Sequence, residues 1–174
     1  MIGIDPAATN IAAAKLHADK SQLSIDYRNT TVEQMDPRER FDIVLGQAAC
    51  TNSSYFSQFG INGSYSPIAD YATLRRAVDE CEKRGLNYKV GNLLSSDMFY
   101  SEKGIDGTME WAKLGVLAVE MEAAALYMNA ARAGKKALAI CTISDLLIGG
   151  ALTTSEERQT AFHDMMQVAL TIAE

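Results

Sequence analysis

The sequence predicts an α/β protein built on a single doubly wound, mostly parallel sheet with helices on both faces. Short apolar runs alternate along the chain with segments of helical period. The connections between successive runs carry a helix, which is the crossover that neighbouring parallel strands require. Glycines and short polar residues stand where the periodic segments stop and start. A length of 174 residues, 48% of them hydrophobic, 22% charged and only 3 of them proline, suffices for one such core, so a single domain over residues 1–174 is expected.

The first strand is the apolar run Met1 to Ile4, closed by Asp5, with Pro6 at a position where a helix start tolerates its missing N–H. A helix follows over Ala7 to Ser21, with apolar residues at Ile11, Ala14, Leu16 and Ala18. Leu23 to Tyr27 alternates at period two and reads as a strand. Thr30 to Met35 is a loop or a short helical turn, Asp36-Pro37 a break, and Phe41 to Leu45 opens a third strand that runs towards Cys50. Thr51 to Ser66, rich in Ser, Asn, Gly and aromatic residues, has no period and reads as a long loop. Asp70 is suited to cap a helix over Tyr71 to Arg84, which Gly85 terminates. Tyr88 to Leu94 is a strand leading into Ser95 to Tyr100, and a short helix is expected around Thr108 to Leu114. Val116 to Met121 is a strand, Glu122 to Ala133 a helix closed by Gly134, and Ala137 to Ile143 a further strand ending at Ser144-Asp145. A glycine-containing loop over Ile148 to Leu152 precedes the last helix, which Thr154 and Glu157 open as a capping box and which turns Phe162, Met165, Met166 and Leu170 inward. The chain opens directly on an apolar run and closes on this helix, which suggests a piece cut to the edges of its structure or a part of something longer.

In open α/β sheets ligands sit beyond the carboxyl ends of the strands, so Asp5, Phe99, Glu120 to Glu122 and Asp145 are the expected places for chemistry. Sixteen basic residues against 22 acidic leave a net charge of -6, without a basic stripe to neutralise phosphates, and this excludes nucleic acid as a partner. Cys50, Cys81 and Cys141 are odd in number and widely spaced, and the two histidines are too few to complete a metal site with them, so neither a disulfide framework nor a metal is expected. No apolar run approaches the ~18 residues of a membrane span, and no basic start is followed by an apolar stretch, so the cytoplasm is the expected location.

From about Asp42 onward, six ordered motifs stand in the chain: Gln47 to Ser54 (QAACTNSS), Ser66 to Tyr71 (SPIADY), Val90 to Tyr100 (VGNLLSSDMFY), Val119 to Ala131 (VEMEAAALYMNAA), Ala137 to Asp145 (ALAICTISD) and Thr153 to Met166 (TTSEERQTAFHDMM). Together they resemble the C-terminal half of the bacterial, hexamer-forming purine nucleoside phosphorylases. The resemblance implies phosphorolysis of purine nucleosides to free base and ribose 1-phosphate. Position by position it makes Asp145 the acid that protonates or hydrogen-bonds the purine at N7 and Arg158 its partner as the site closes. Glu122 would hold ribose hydroxyls, Met121 would pack on the sugar, Phe99 and Tyr100 would flank the base, and Glu120 would belong with them to the nucleoside-binding set. Such roles suit an N-glycosidic cleavage, which develops oxocarbenium character and needs a protonated leaving base.

The N-terminal stretch Gly3 to Met35, followed by Phe41 to Leu45, instead resembles the second to fourth strands of a class I S-adenosylmethionine-dependent methyltransferase of the ubiquinone-biosynthesis O-methyltransferase type. That resemblance would make Asp5 a vestigial ligand of the cofactor ribose. The glycine-rich turn that such a site also needs does not stand in this sequence, so no cofactor is expected. Residues 1–45 then form a methyltransferase-like βαββ segment and residues 42–174 a phosphorylase-like one, joined at the strand Phe41 to Leu45. The phosphorylases' glycine-rich turn and arginines for phosphate are likewise not seen in residues 1–41, where Arg28, Arg38 and Arg40 are the arginines. The expectation is therefore an engineered or recombined chimera that keeps the purine and ribose half of a site, lacks its phosphate half and turns nothing over, with at most weak binding of a purine nucleoside or base. Two alternatives stand beside it: an active purine nucleoside phosphorylase, and a folded chimera without a ligand. A homo-oligomer is left open.

Overall fold

The computed structural model describes residues 2–5, 7–20, 26–29, 42–99, 102, 104–147 and 155–173; for 2–5, 26–29 and 155–161 it describes the backbone alone. The chain divides into two compact units, Met1–Arg40 and Phe41–Glu174.

In the first unit β1 (Ile2–Asp5) and β2 (Asp26–Asn29) pair in parallel, Ile2 opposite Asp26 and Asp5 opposite Asn29. The connection between them carries α1 (Ala8–Lys20), whose Ile11 and Ala18, two turns apart on one face, are buried. Leu16, expected on that face, is 58% exposed because it falls a half-turn away from Ala18.

The second unit holds a four-stranded mixed sheet in the order β5-β4-β3-β6. Its strands are β3 (Ile43–Thr51), β4 (Tyr88–Ser95), β5 (Val116–Glu120) and β6 (Ala139–Thr142), and its helices α2 (Tyr71–Arg84), α3 (Gly104–Ala112), α4 (Ala123–Arg132) and α5 (Ser155–Ile172). The α/β class is borne out. The strands β3, β4 and β5 are parallel, whereas β6 is antiparallel to β3, with Ile43 opposite Thr142 and Gly46 opposite Ala139.

The central strand β3 is buried on both faces, as a strand covered on each side by helices must be. Ile43 and Leu45 point to one side, where Leu74, Ala77 and Cys81 of α2 and Val168 and Ile172 of α5 complete a core. Val44 and Ala49 belong to a second core with Leu93 and with Ala123, Ala124, Tyr127 and Met128 of α4. Gly46 sits where β3 shifts register against β4, and a Cβ there would come within 2.6 Å of Leu93 Cδ1 and 2.9 Å of Tyr127 Oη, so no side chain fits without displacement.

α2 has the bounds its sequence signals predict. Asp70 accepts from the N–H of Thr73 at 2.9 Å and from its hydroxyl at 2.7 Å, and Gly85 closes the helix at φ 65°. The long stretch after β3 contains a 3₁₀ helix, Tyr55–Phe59, whose rings pack on one another. On α5 the inward face is not the expected one: Met165 is half-buried and Val168 and Ile172 are buried, while Phe162, Met166 and Leu170 are 37%, 52% and 67% exposed. The helix contacts one side of the sheet through a narrow stripe at 165, 168 and 172, and its remaining apolar residues lie outside that stripe. The proposed caps of α5 at Thr154, and Ile148 to Leu152, lie outside the described residues. Among the described residues no helix is long and apolar enough to cross a membrane.

Candidate functional site at the ends of β3, β4 and β5

Three parallel strands end side by side: Thr51 is opposite Ser95, and Ser95 is opposite Glu120. The chain leaving each strand is tied to its neighbours. Thr51 Oγ1 donates to the Ser95 carbonyl at 2.7 Å, and the Ser96 N–H donates to the Glu120 carbonyl at 2.8 Å. Asn52 accepts from the Asp97 N–H at 3.0 Å and donates to Ser96 Oγ at 3.4 Å, which holds the segment leading to Phe99 against the end of β3. Phe99 itself is 77% exposed, and Met121 is 42% exposed.

Glu120 and Glu122, two residues apart, are in different circumstances. Glu120 is the last residue of β5, and its carboxylate turns onto the start of α4. Oε2 accepts from the N–H groups of Glu122 at 2.7 Å and Ala123 at 2.6 Å, and Oε1 accepts from the Ser95 hydroxyl. The Ser95 oxygen in turn accepts from the Ala124 N–H at 2.8 Å. First-turn N–H groups without an intrahelical partner are thus satisfied from β4 and β5, and a carboxylate there also complements the positive end of the helix. Glu122, at the N-cap position of α4 with φ -130° and ψ -30°, makes no capping hydrogen bond with its own side chain and is exposed.

Asp145 is exposed and accepts from the Ser144 hydroxyl at 2.9 Å. Because β6 is antiparallel, it leaves the sheet beside the first residue of β3 rather than the last, and the Ile143 N–H donates to the Asp42 carbonyl at 2.9 Å. The strand-end rule used on the sequence therefore gathers Thr51, Ser95 and Glu120 but does not by itself gather Asp145 with them. β6 nonetheless runs within electrostatic reach of the glutamates. Burial first, then Glu120 and Glu122, push the Cys141 thiol up to about 11. Of the other expected positions, Tyr100 lies outside the described residues. Arg158 is placed by its backbone in α5, and Asp5 by its backbone as the last residue of β1.

Ser95 and Asn52 are not among the residues that the sequence singles out. The one available signal was position, since both stand at or just beyond the end of a strand leading into a motif. A recess of about 440 Å³ opens elsewhere, between the 3₁₀ helix and α4, with Phe56, Phe59, Ile61, Tyr65 and Met128 among its walls and Arg132 over the Phe59 ring at 5.0 Å. None of the expected site residues lines it.

Comparison with known proteins gives these positions a family. Residues 36–174 match the model of the phosphorylase superfamily. The chain is 46% identical over 134 residues to a purine nucleoside phosphorylase DeoD-type of Clostridium novyi (strain NT), covering 76% of this chain and 57% of that one. It is 47% identical over 130 residues to the protein of the same name from Pectobacterium atrosepticum, covering 74% of this chain and 54% of the relative. The Listeria welshimeri protein of that name is 44% identical over 140 residues, 80% of this chain and 59% of its own length. The chain thus spans a little over half the length of these relatives.

These matches overturn the expectation of an inactive chimera. They favour the alternative, a purine nucleoside phosphorylase, and the family match starts at residue 36, inside the segment assigned to a methyltransferase. The methyltransferase resemblance of residues 1–45, and with it an engineered origin, receives no support from them. On a family match across residues 36–174, the chain belongs to the phosphorylase superfamily.

Proposed function

We propose that the chain acts as a purine nucleoside phosphorylase, with a purine nucleoside and inorganic phosphate as substrates and free base and ribose 1-phosphate as products, in the cytoplasm. The bond between C1′ and the base nitrogen breaks, and a phosphate oxygen bonds to C1′. The observation that carries this reading is at the end of β5, where exposed Met121 precedes a Glu122 carboxylate that its helix does not use as a cap, with Phe99 exposed four residues beyond the end of β4. An apolar surface for sugar and base beside a carboxylate that can accept from ribose hydroxyls suits a nucleoside.

In this reading Glu122 accepts from the ribose hydroxyls, Met121 packs on the sugar, and Phe99 and Tyr100 flank the purine. Asp145 delivers a proton to N7, so that the base leaves neutral while positive charge develops at C1′, and Arg158 steadies the Asp145 carboxylate left behind. The relatives' name and their 44–47% identity support the reaction class. The test is a coupled assay for hypoxanthine released from inosine. Release that requires phosphate, and that falls by at least about 100-fold in Asp145→Asn, is expected for loss of a general acid. Release indifferent to phosphate, or no release at all, would refute the proposal.

A further inference from the structure

We infer that Ser95 and Glu120 form a polar clamp that fixes Met121 and Glu122 in position for the sugar, so that Glu120 is a positioning residue and Glu122 the one that meets the ligand. The inference rests on the nucleoside reading above for the identity of that ligand.

The hydrogen-bond inventory separates the two glutamates. Glu120 receives three donors, the Ser95 hydroxyl and the N–H groups of Glu122 and Ala123. Ser95 is 4% exposed; its single proton goes to Glu120 and its oxygen accepts from the Ala124 N–H. Three successive amides, at Glu122, Ala123 and Ala124, are therefore held by two side chains that both belong to the sheet. The residue at the N-cap position would ordinarily supply that acceptor. Here Glu122 does not, which leaves its carboxylate available to a ligand without a helix start losing its cap.

The clamp is anchored. Ser95 and Glu120 are partners across the β4–β5 ladder, the Ser96 N–H bonds the Glu120 carbonyl, and Thr51 Oγ1 bonds the Ser95 carbonyl from β3. On the far side Ala123 and Ala124 are 1% and 2% exposed, so the start of α4 is fixed by packing as well as by hydrogen bonds. Met121 and Glu122 lie between these fixed points, at two bends of the chain. A group held this way presents its carboxylate with little freedom to lose on binding.

Calorimetric titration of the whole chain with inosine and, separately, with hypoxanthine tests the clamp, because only the nucleoside carries the sugar. Ser95→Ala deletes the donor to Glu120 and the acceptor for Ala124, and it should weaken inosine by about tenfold while leaving hypoxanthine unchanged. Ser95→Thr keeps the hydroxyl and should restore inosine binding. Glu120→Gln, which removes the charge that complements the helix start and leaves one acceptor oxygen where two accepted, should show the same sugar-specific loss. Adding Ser95→Ala to Glu122→Gln should cost nothing further, since the clamp acts through Glu122. Equal weakening of inosine and hypoxanthine would make the pair merely structural and overturn the inference, as would unchanged binding of both. Wild-type chain that binds hypoxanthine but gains nothing from the sugar overturns the clamp alone. Wild-type chain that binds neither refutes the phosphorylase reading and the clamp together.

Discussion

Replacing Tyr127 by Phe would remove one oxygen from the interior and show how β6 is held on the sheet. Tyr127 is 1% exposed. Its hydroxyl donates to the Gly46 carbonyl at 2.5 Å and accepts from the Ala139 N–H at 2.9 Å, so it sits between β3 and the first residue of β6. Phe fills the same ring volume, which confines the loss to the two hydrogen bonds. A buried backbone group left without its partner costs about 1–3 kcal/mol. With Gly46 and Ala139 both affected and some relaxation at the edge strand, about 2 kcal/mol is expected, or about 4–8 °C in Tm for a domain of this size. Thermal unfolding followed by circular dichroism measures it, and amide exchange at Ala139 should accelerate in the variant. Burial pushes the Tyr127 phenol up to about 12, so it stays protonated and the difference between the two proteins should be constant from pH 6 to 9. A Tm within about 1 °C of wild type, with unchanged exchange at Ala139, would refute the account of Tyr127 as the strand's tether.

Two further outcomes follow from packing and charge. Val168→Ala, at a fully buried site on α5, should cost about 2 kcal/mol, whereas Leu170→Ala, at a 67% exposed site, should stay within about 0.5 kcal/mol; urea unfolding that ranks them in the opposite order would put the wrong face of α5 on the sheet. Glu80 is buried on α2 and bonded to Arg84 at 2.6 Å and Lys83 at 3.4 Å, and the Arg84 hydrogen bond chiefly holds its carboxyl below the usual range. Its contribution is fully present above the unfolded value of about 4.3 and is lost as pH falls through the lower folded value. Urea midpoints of wild type and Glu80→Gln should therefore converge as the pH is lowered below about 4, and curves that stay parallel down to pH 3 would remove Glu80 from the acid limb.

Local signals read well where the cause is local. α2 was bounded correctly because its cap, Asp70, and its stop, Gly85, act through atoms within a few residues of themselves. The parallel strands β3, β4 and β5 were legible as apolar runs separated by crossovers. The inward face of α5 was not, because an 18-residue helix with apolar residues on several sides takes its orientation from what it touches, here Ile43, Leu45 and α2. The direction of β6 was equally illegible, since an apolar run reads the same whichever way it pairs.

At the candidate site the division is the same. The sequence by itself determined the α/β class, the motifs that resemble the nucleoside phosphorylases, and the pair Glu120 and Glu122 at a strand-to-helix junction. Sequence spacing could not assign different work to two identical side chains two residues apart. The tertiary structure decided that Glu120 turns onto the amides of α4 and onto Ser95, 25 residues earlier in the chain, while the Glu122 side chain makes no capping bond. The physical reason is that a carboxylate's role is set by the donors that reach it, and one of the donors that reach Glu120 comes from a neighbouring strand that only the folded sheet brings alongside.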